Sequence, residues 1–229
     1  AVAASAHARC DRFKGTDPLI IGMSRRRLAE HLGHPDTTAG IPEARWMRAM
    51  AFERLVRSDE FVSPVLTTAV GKLGLARPMG VRRADCSGRV GATAEALAIA
   101  HDKALDGEAT LLTSLGVPYL DLEDDPLATA VQPDFAIVAA RADREDDPPS
   151  GSWLVMGDAK DYERVRSRID DRRMLKGFLQ VAMGAASARA WSALPDGMYV
   201  HRYGALAVPR NSFLQPTVEI EDLSDHCAE

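Results

Sequence analysis

Long apolar runs are missing from this chain. The longest, 135–140 and 96–100, fall far short of the roughly 18 residues a membrane-crossing helix needs. No transmembrane helix and no membrane partner are expected. Cysteine is scarce: Cys10, Cys86 and Cys227 are scattered, odd in number and not arranged as a C-x-x-C pair, which argues against a disulfide framework or a zinc knuckle. Nor is there a surplus of positive charge. Against 28 Lys and Arg stand 33 Asp and Glu, a formal net charge of −5. The surface as a whole is therefore no nucleic-acid glove, because phosphate binding by counterion release needs clustered Lys and Arg. Any such contact must be local. Internal repeats and low-complexity tracts are lacking too. His7 and Arg9 interrupt the N-terminal Ala-Val-Ala-Ala before a signal-type apolar segment forms, so an intracellular, cytoplasmic location is the expectation.

What is present is enough apolar residue, 46% of 229 positions, for one large domain or two small ones. Residues 1–42 read as an N-terminal arm. Arg25, Arg26 and Arg27 sit in a short helical pattern over 24–32, ended by Gly33, Pro35, Gly40 and Pro42. From Glu43 the positions Trp46, Met47, Met50 and Leu55 recur at helical spacing up to Val56, and 65–75 continues the helical region. An alanine-rich pattern, apolar on more than one face, predicts a buried helix over 91–115. After Gly116 the character changes. Residues 117–120, 135–140 and 153–156 read as short strands, and 141–151, acidic and with two prolines, as an exposed hairpin tip. Residues 172–190 are helical again, and 197–208 return to strand before Pro209. This order predicts a single α/β domain over 43–229, a mixed central sheet flanked by helices, behind a helical N-terminal flank.

The informative stretch is Gln132-Pro133-Asp134-Phe135 followed, after a strand and a hairpin, by Met156-Gly157-Asp158-Ala159-Lys160. Asp134 opens one predicted strand, and Asp158 and Lys160 close the next. Antiparallel pairing brings the start of the first beside the end of the second. Asp158 and Lys160 are two residues apart, so pleating sends both to one face, toward Asp134. Two adjacent buried carboxylates repel, and one is driven toward its protonated form. A divalent cation removes that cost, and hard oxygen ligands without a soft one suit Mg2+ or Mn2+. Lys160 can orient or deprotonate a water, or stabilise charge on a phosphate. A plain surface ion pair between Asp158 and Lys160, worth at most about 1 kcal/mol, is the alternative for an isolated D-x-K.

The surrounding pattern resembles the PD-(D/E)xK nuclease superfamily, and within it the RecB-like branch, over roughly residues 43–190. In that family a Pro-Asp pair opens one strand, D-x-K closes the next, and the following helix carries a glutamine beside the metal site. Pro133-Asp134, Asp158-Ala159-Lys160 and Gln180 fill these places. The resemblance implies a restriction-endonuclease-like core and divalent-metal-dependent hydrolysis of DNA phosphodiesters, RNA not excluded, giving a 5′-phosphate and a 3′-hydroxyl. Asp134, Asp158 and the main-chain carbonyl of Ala159 would hold the metal, Lys160 would place the attacking water, and Gln180 would steady either. The branch also puts a glutamate or histidine on an upstream helix. Glu53, in the segment 50–56, is the choice for that third acidic ligand, with Glu95 the competing candidate. The tyrosine that usually follows the glutamine by four residues is replaced by Gly184. Iron-sulfur members use one cysteine before the core and three after it, whereas only Cys227 follows it here, so no such cluster is expected.

Between 160 and 176 basic residues outnumber acidic ones, and Arg164, Arg166, Arg168, Arg172, Arg173 and Lys176 form a candidate phosphate track. A solvated face with internal ion pairs is the competing reading. His101, His201 and His226 are isolated and receive no role. Two further possibilities stay open. The chain is a non-catalytic nucleic-acid- or partner-binding module on this fold, or a catalytic subunit that needs a helicase, a targeting subunit or a homo-oligomer. A defence, repair or recombination role would follow from the family's habits.

Overall fold

A computed structural model describes residues 43–119, 130–141, 149–162, 168–224 and 226, together with positions 27, 30, 31 and 33. Most of the 1–42 arm, Cys10, Cys227, Arg164 and Arg166 lie outside the described residues. No described helix is long and apolar enough to cross a membrane.

Helix α1 (Glu43–Val56) and helix α2 (Asp59–Leu73) come first, separated by two residues. Gly74, left-handed at φ 63, caps α2 by donating its N–H to Val70 O. Strand β1 (Gly80–Asp85), helix α3 (Val90–Leu105) and strand β2 (Glu108–Thr113) form a parallel crossover. Strands β3 (Phe135–Arg141) and β4 (Gly151–Ala159) then run antiparallel as a hairpin against β2. Helix α4 (Asp171–Ala190) leads through short β5 (Met198–Val200) to β6 (Tyr203–Pro209), which lies parallel to β4, and β7 (Pro216–Asp222) closes the far edge. The sheet has seven strands in the order β1-β2-β3-β4-β6-β7, with β5 beside β4. This is an α/β architecture with a mixed sheet, flanking helices and a helical N-terminal region, consistent with a restriction-endonuclease-like core.

Alternation divides the core in two. Leu112, Ala136, Val138, Leu154, Met156 and Leu206 face α3 and α4, while Leu111, Phe135, Ile137, Val155 and Ala205 face α1 and α2. Being covered on both faces makes β3 and β4 continuous apolar runs rather than alternating ones. The structure corrects the helix expected over 91–115. Gly107, at φ 82, ends the helical region, and the buried Ala109–Thr113 stretch that follows is strand β2. Strand β1 and strand β7 are additions, and of the strand expected over 117–120 the described residues 117–119 form a bridge from Val117 to Val131, while Leu120 lies outside the described residues.

Candidate active site

The start of β3 is pinned before its first residue. Ser114 N–H donates to Asp134 O and Leu115 N–H to Pro133 O, tying the Pro-Asp pair to the end of β2. The register then sets Phe135 opposite Gly157, so Asp134 and Asp158 are neighbours on the α3/α4 face. At Ala159 strand β4 has run past the end of β3. Its N–H, left without a ladder partner there, donates to Asp134 Oδ2 at 2.9 Å.

Asp158 is 6% exposed, and its carboxylate meets two charged neighbours, Lys160 and Asp134. Lys160 Nζ stands 2.5 Å from Asp158 Oδ2 as an ion pair. Burial first, and then the contact with the Asp134 carboxyl, push Asp158 well above the ordinary carboxylate range against the pull of Lys160. Burial also works to lower the Lys160 ammonium, but Asp158 and then Asp134 outweigh it and lift its pKa.

Helix α4 crosses this end of the sheet. An added Cβ at Gly177 would meet Leu206 Cδ2 at 2.6 Å, and Leu206 is the register partner of Asp158. One at Gly184 would meet Pro133 Cγ at 3.1 Å and Met156 Cε at 3.4 Å. Gln180 falls between these two contacts, on the same helix face, and its Oε1 is a buried oxygen without a partner among the described residues. The closeness of Pro133 also explains Gly184, because a tyrosine there would drive its Cβ against the proline that opens β3. Tyr162, unnoticed in the sequence, continues the 158, 160, 162 alternation and packs half-buried against the α3/α4 core. Burial raises its phenol, and the fields of Lys160 and Arg173 oppose that rise.

No family model, curated protein or solved structure matches this chain. The residues themselves must carry the reading.

Not every expected member joins the group. Glu53 lies on α1, which packs Phe52 and Val56 against the opposite sheet face, and its carboxylate pairs with Arg57 at 3.5 Å. Glu95 is exposed on the outer side of α3, away from the buried Thr93, Leu97 and Ala100. Among the described residues no cluster of three His, Cys, Asp or Glu forms. Arg168, Arg172, Arg173 and Lys176 are exposed. The last three occupy the first turns of α4, just before Gly177 and so at the Asp158 end of the sheet.

What α1 does supply is Arg48. Its Nε donates to Asp161 Oδ1 at 2.8 Å and to Oδ2 at 3.0 Å, reaching the residue after Lys160 from the other face. The Asp161 side chain is only 7% exposed, so Arg48→Ala would strand a carboxylate. Because Arg48 itself is 33% exposed, the cost falls below that of a fully buried pair, at about 2 kcal/mol. A melting temperature lower by roughly 4–8 °C is expected, with recovery in the Arg48→Ala/Asp161→Ala double variant. An unchanged melt in the single variant would remove the clamp from the account.

Asp158 gives a second prediction. With its pKa raised in the folded state, stability is fully present below the ordinary carboxylate range and is lost as pH rises through the raised value. Without added metal, Asp158→Asn should therefore melt higher than the wild type at neutral pH, by about 2–4 °C, with the gain shrinking on acidification. Melts across pH 4–8 check it, and a variant that melts lower throughout would refute the like-charge account.

Proposed function

We propose that this protein is a divalent-metal-dependent nuclease that hydrolyses DNA phosphodiester bonds, working in the cytoplasm as the catalytic part of a defence, repair or recombination system. One observation carries the reading. Asp134, Asp158 and Lys160 converge at the paired ends of β3 and β4, where the buried Asp158 carboxylate is met by the Lys160 ammonium and crowded by Asp134, and the buried Gln180 Oε1 has no hydrogen-bond partner among the described residues. An unpartnered buried oxygen and two crowded carboxylates are both costly in a core unless a ligand completes them.

The donor set fits Mg2+ or Mn2+: hard carboxylate and carbonyl oxygens, few in number, leaving room for water. Asp134, Asp158 and the Ala159 carbonyl would hold the ion. A bound divalent cation supplies neutralisation of the two carboxylates and polarisation of the phosphate. The remaining roles belong to the chain. Asp134 is oriented by the Ala159 N–H, so its second oxygen is presented with little freedom. Lys160 holds N–H donors at the carboxylate edge, where they orient a water for in-line attack or meet a phosphate oxygen. Gln180 offers an acceptor to that water or to Lys160 from α4.

The basic first turns of α4 support a polyanionic substrate. Arg172 and Arg173 stand at the positive end of the helix macrodipole, an unfavourable position that Asp170 and Asp171 partly offset. A phosphate backbone lying across this rim would reverse the penalty. A second reading, a non-catalytic module on the same fold, is favoured by the lack of a third acidic residue in the described group. Cleavage of linear and circular DNA, single- and double-stranded, in Mg2+, Mn2+ or EDTA separates the two. Metal-dependent cutting supports the enzyme, and linear-only cutting makes it an exonuclease. No cutting together with no heat of metal binding leaves the module.

A further inference from the structure

At the other end of the sheet, on the α1/α2 face, aromatic side chains line up across three strands. Trp153 of β4 is the register partner of Tyr199 of β5, and their ring centroids lie 6.1 Å apart. The Trp153 ring meets His201 at 4.9 Å, and His201 meets Tyr203 of β6 at 5.7 Å. The Trp153–Tyr199 pair shares one face by register, and the ring contacts carry the row on through His201 to Tyr203. The row is held from within: Tyr203 N–H donates to His201 Nδ1 at 3.1 Å, and Arg189 Nη2 donates to His201 O at 3.1 Å.

Guanidinium groups are set into this row. Arg141, at the end of β3, lies 4.4 Å from the Tyr199 ring centroid and 5.1 Å from that of Trp153. It can reach both because its register partner is Gly151, where an added Cβ would stand 3.6 Å from the Tyr199 ring. Arg202 lies 4.9 Å from the Tyr203 ring and pairs with Asp222. Among the described residues Arg141 meets no carboxylate. Tyr199 is 47% exposed although its neighbours pack against the core.

We propose that this row is a stacking platform for an unpaired nucleic-acid strand. Aromatic rings accept the faces of exposed bases in any sequence, and guanidiniums stacked among them meet both bases and phosphates. A duplex keeps its base faces inside the stack, so it cannot use such a surface in the same way. Tyrosine, tryptophan and arginine also mark protein interfaces. Here the charge decides, because Arg141 presents a cation at the Tyr199 and Trp153 rings, whereas the Arg202 charge at Tyr203 is shared with Asp222. The choice of nucleic acid rests on the nuclease reading, but the platform is a separate place. Trp153 precedes Asp158 by five residues, roughly 17 Å along β4, and faces the other way. A strand held there is tethered, not positioned for cutting.

The test uses the full chain in EDTA, where cutting cannot contribute. Binding of a labelled 20-residue oligothymidylate is read by anisotropy, beside a duplex of the same length. Tyr199→Ala and Arg141→Gln are each expected to weaken single-strand binding by about tenfold and to leave the duplex unaffected, while Tyr199→Phe binds as the wild type. Tyr199 is exposed and Arg141 half-buried, and circular dichroism verifies that the variants fold. Single-strand binding that is absent in the wild type or unchanged in both variants overturns the proposal, and is also the result expected if the row serves a protein partner. Because cleavage is scored separately in Mg2+ or Mn2+, the platform and the nuclease reading fail independently.

Discussion

On the nuclease reading proposed above, Lys160→Ala should fold normally and lose DNA cleavage by about a thousandfold or more, while still binding Mn2+. The side chain is 24% exposed and sits beyond the last paired residue of β4, so its removal opens no cavity in either core. The ammonium, however, stands 2.5 Å from the Asp158 carboxylate, at the point where charge would develop on a transferring phosphoryl group. Losing one such preorganised donor typically costs about 10²–10³ in rate, and placing the attacking water adds to that. Asp158→Ala should differ in kind. It removes a candidate ligand and should abolish both cutting and the heat of Mn2+ binding, whereas Lys160→Ala should abolish cutting alone. Lys160→Arg keeps the charge but not the compact head, and intermediate activity is expected. Cleavage by Lys160→Ala at the wild-type rate would refute the assigned role. Equal metal binding by Asp158→Ala would refute the ligand set.

The part of this site that was legible in the sequence lies on one hairpin. Pro133-Asp134 and Asp158-Ala159-Lys160 could be placed together because antiparallel pairing and a two-residue pleat are local rules, and β3 and β4 stood out as apolar runs buried on both faces. Strand β1 could not be read, since Arg82, Arg83 and Asp85 give an edge strand no buried stripe. Strand β2 was hidden behind an alanine-rich helix, with Gly107 the only mark of the break. Glu53 comes from the resemblance of 50–56 to the family's upstream helix, and such a resemblance does not say which sheet face the helix covers. The same helix does contact the D-x-K segment, through Arg48, by way of Asp161, whose odd position points it to the face opposite Lys160. Sequence order alone did not join those two residues, which are 113 positions apart.

Gly157→Ala should be strongly disruptive. A Cβ at Gly157 would stand 2.3, 2.4 and 2.7 Å from three atoms of the Phe135 ring, its own register partner. That ring is fully buried, with Phe61 edge-on at 5.7 Å and 83°, so it has nowhere to turn. The backbone of Gly157 is equally confined, because β4 is paired with β3 on one side and with Ala205 of β6 on the other. Overpacking of this kind costs roughly 3 kcal/mol or more, which for a chain of this size lowers the melting temperature by about 6–12 °C. Phe135→Leu alone should also destabilise. In the double variant the two losses should fall well short of additive, since the smaller side chain vacates the space the methyl group needs. Because Asp134 and Asp158 flank this pair, the same displacement would pull the carboxylates apart, and Mn2+ affinity should fall with stability. Thermal melts and calorimetry on the two single variants and the double variant decide it. A Gly157→Ala protein that melts with the wild type would mean that the contact between Phe135 and β4 does not set the spacing of the two carboxylates.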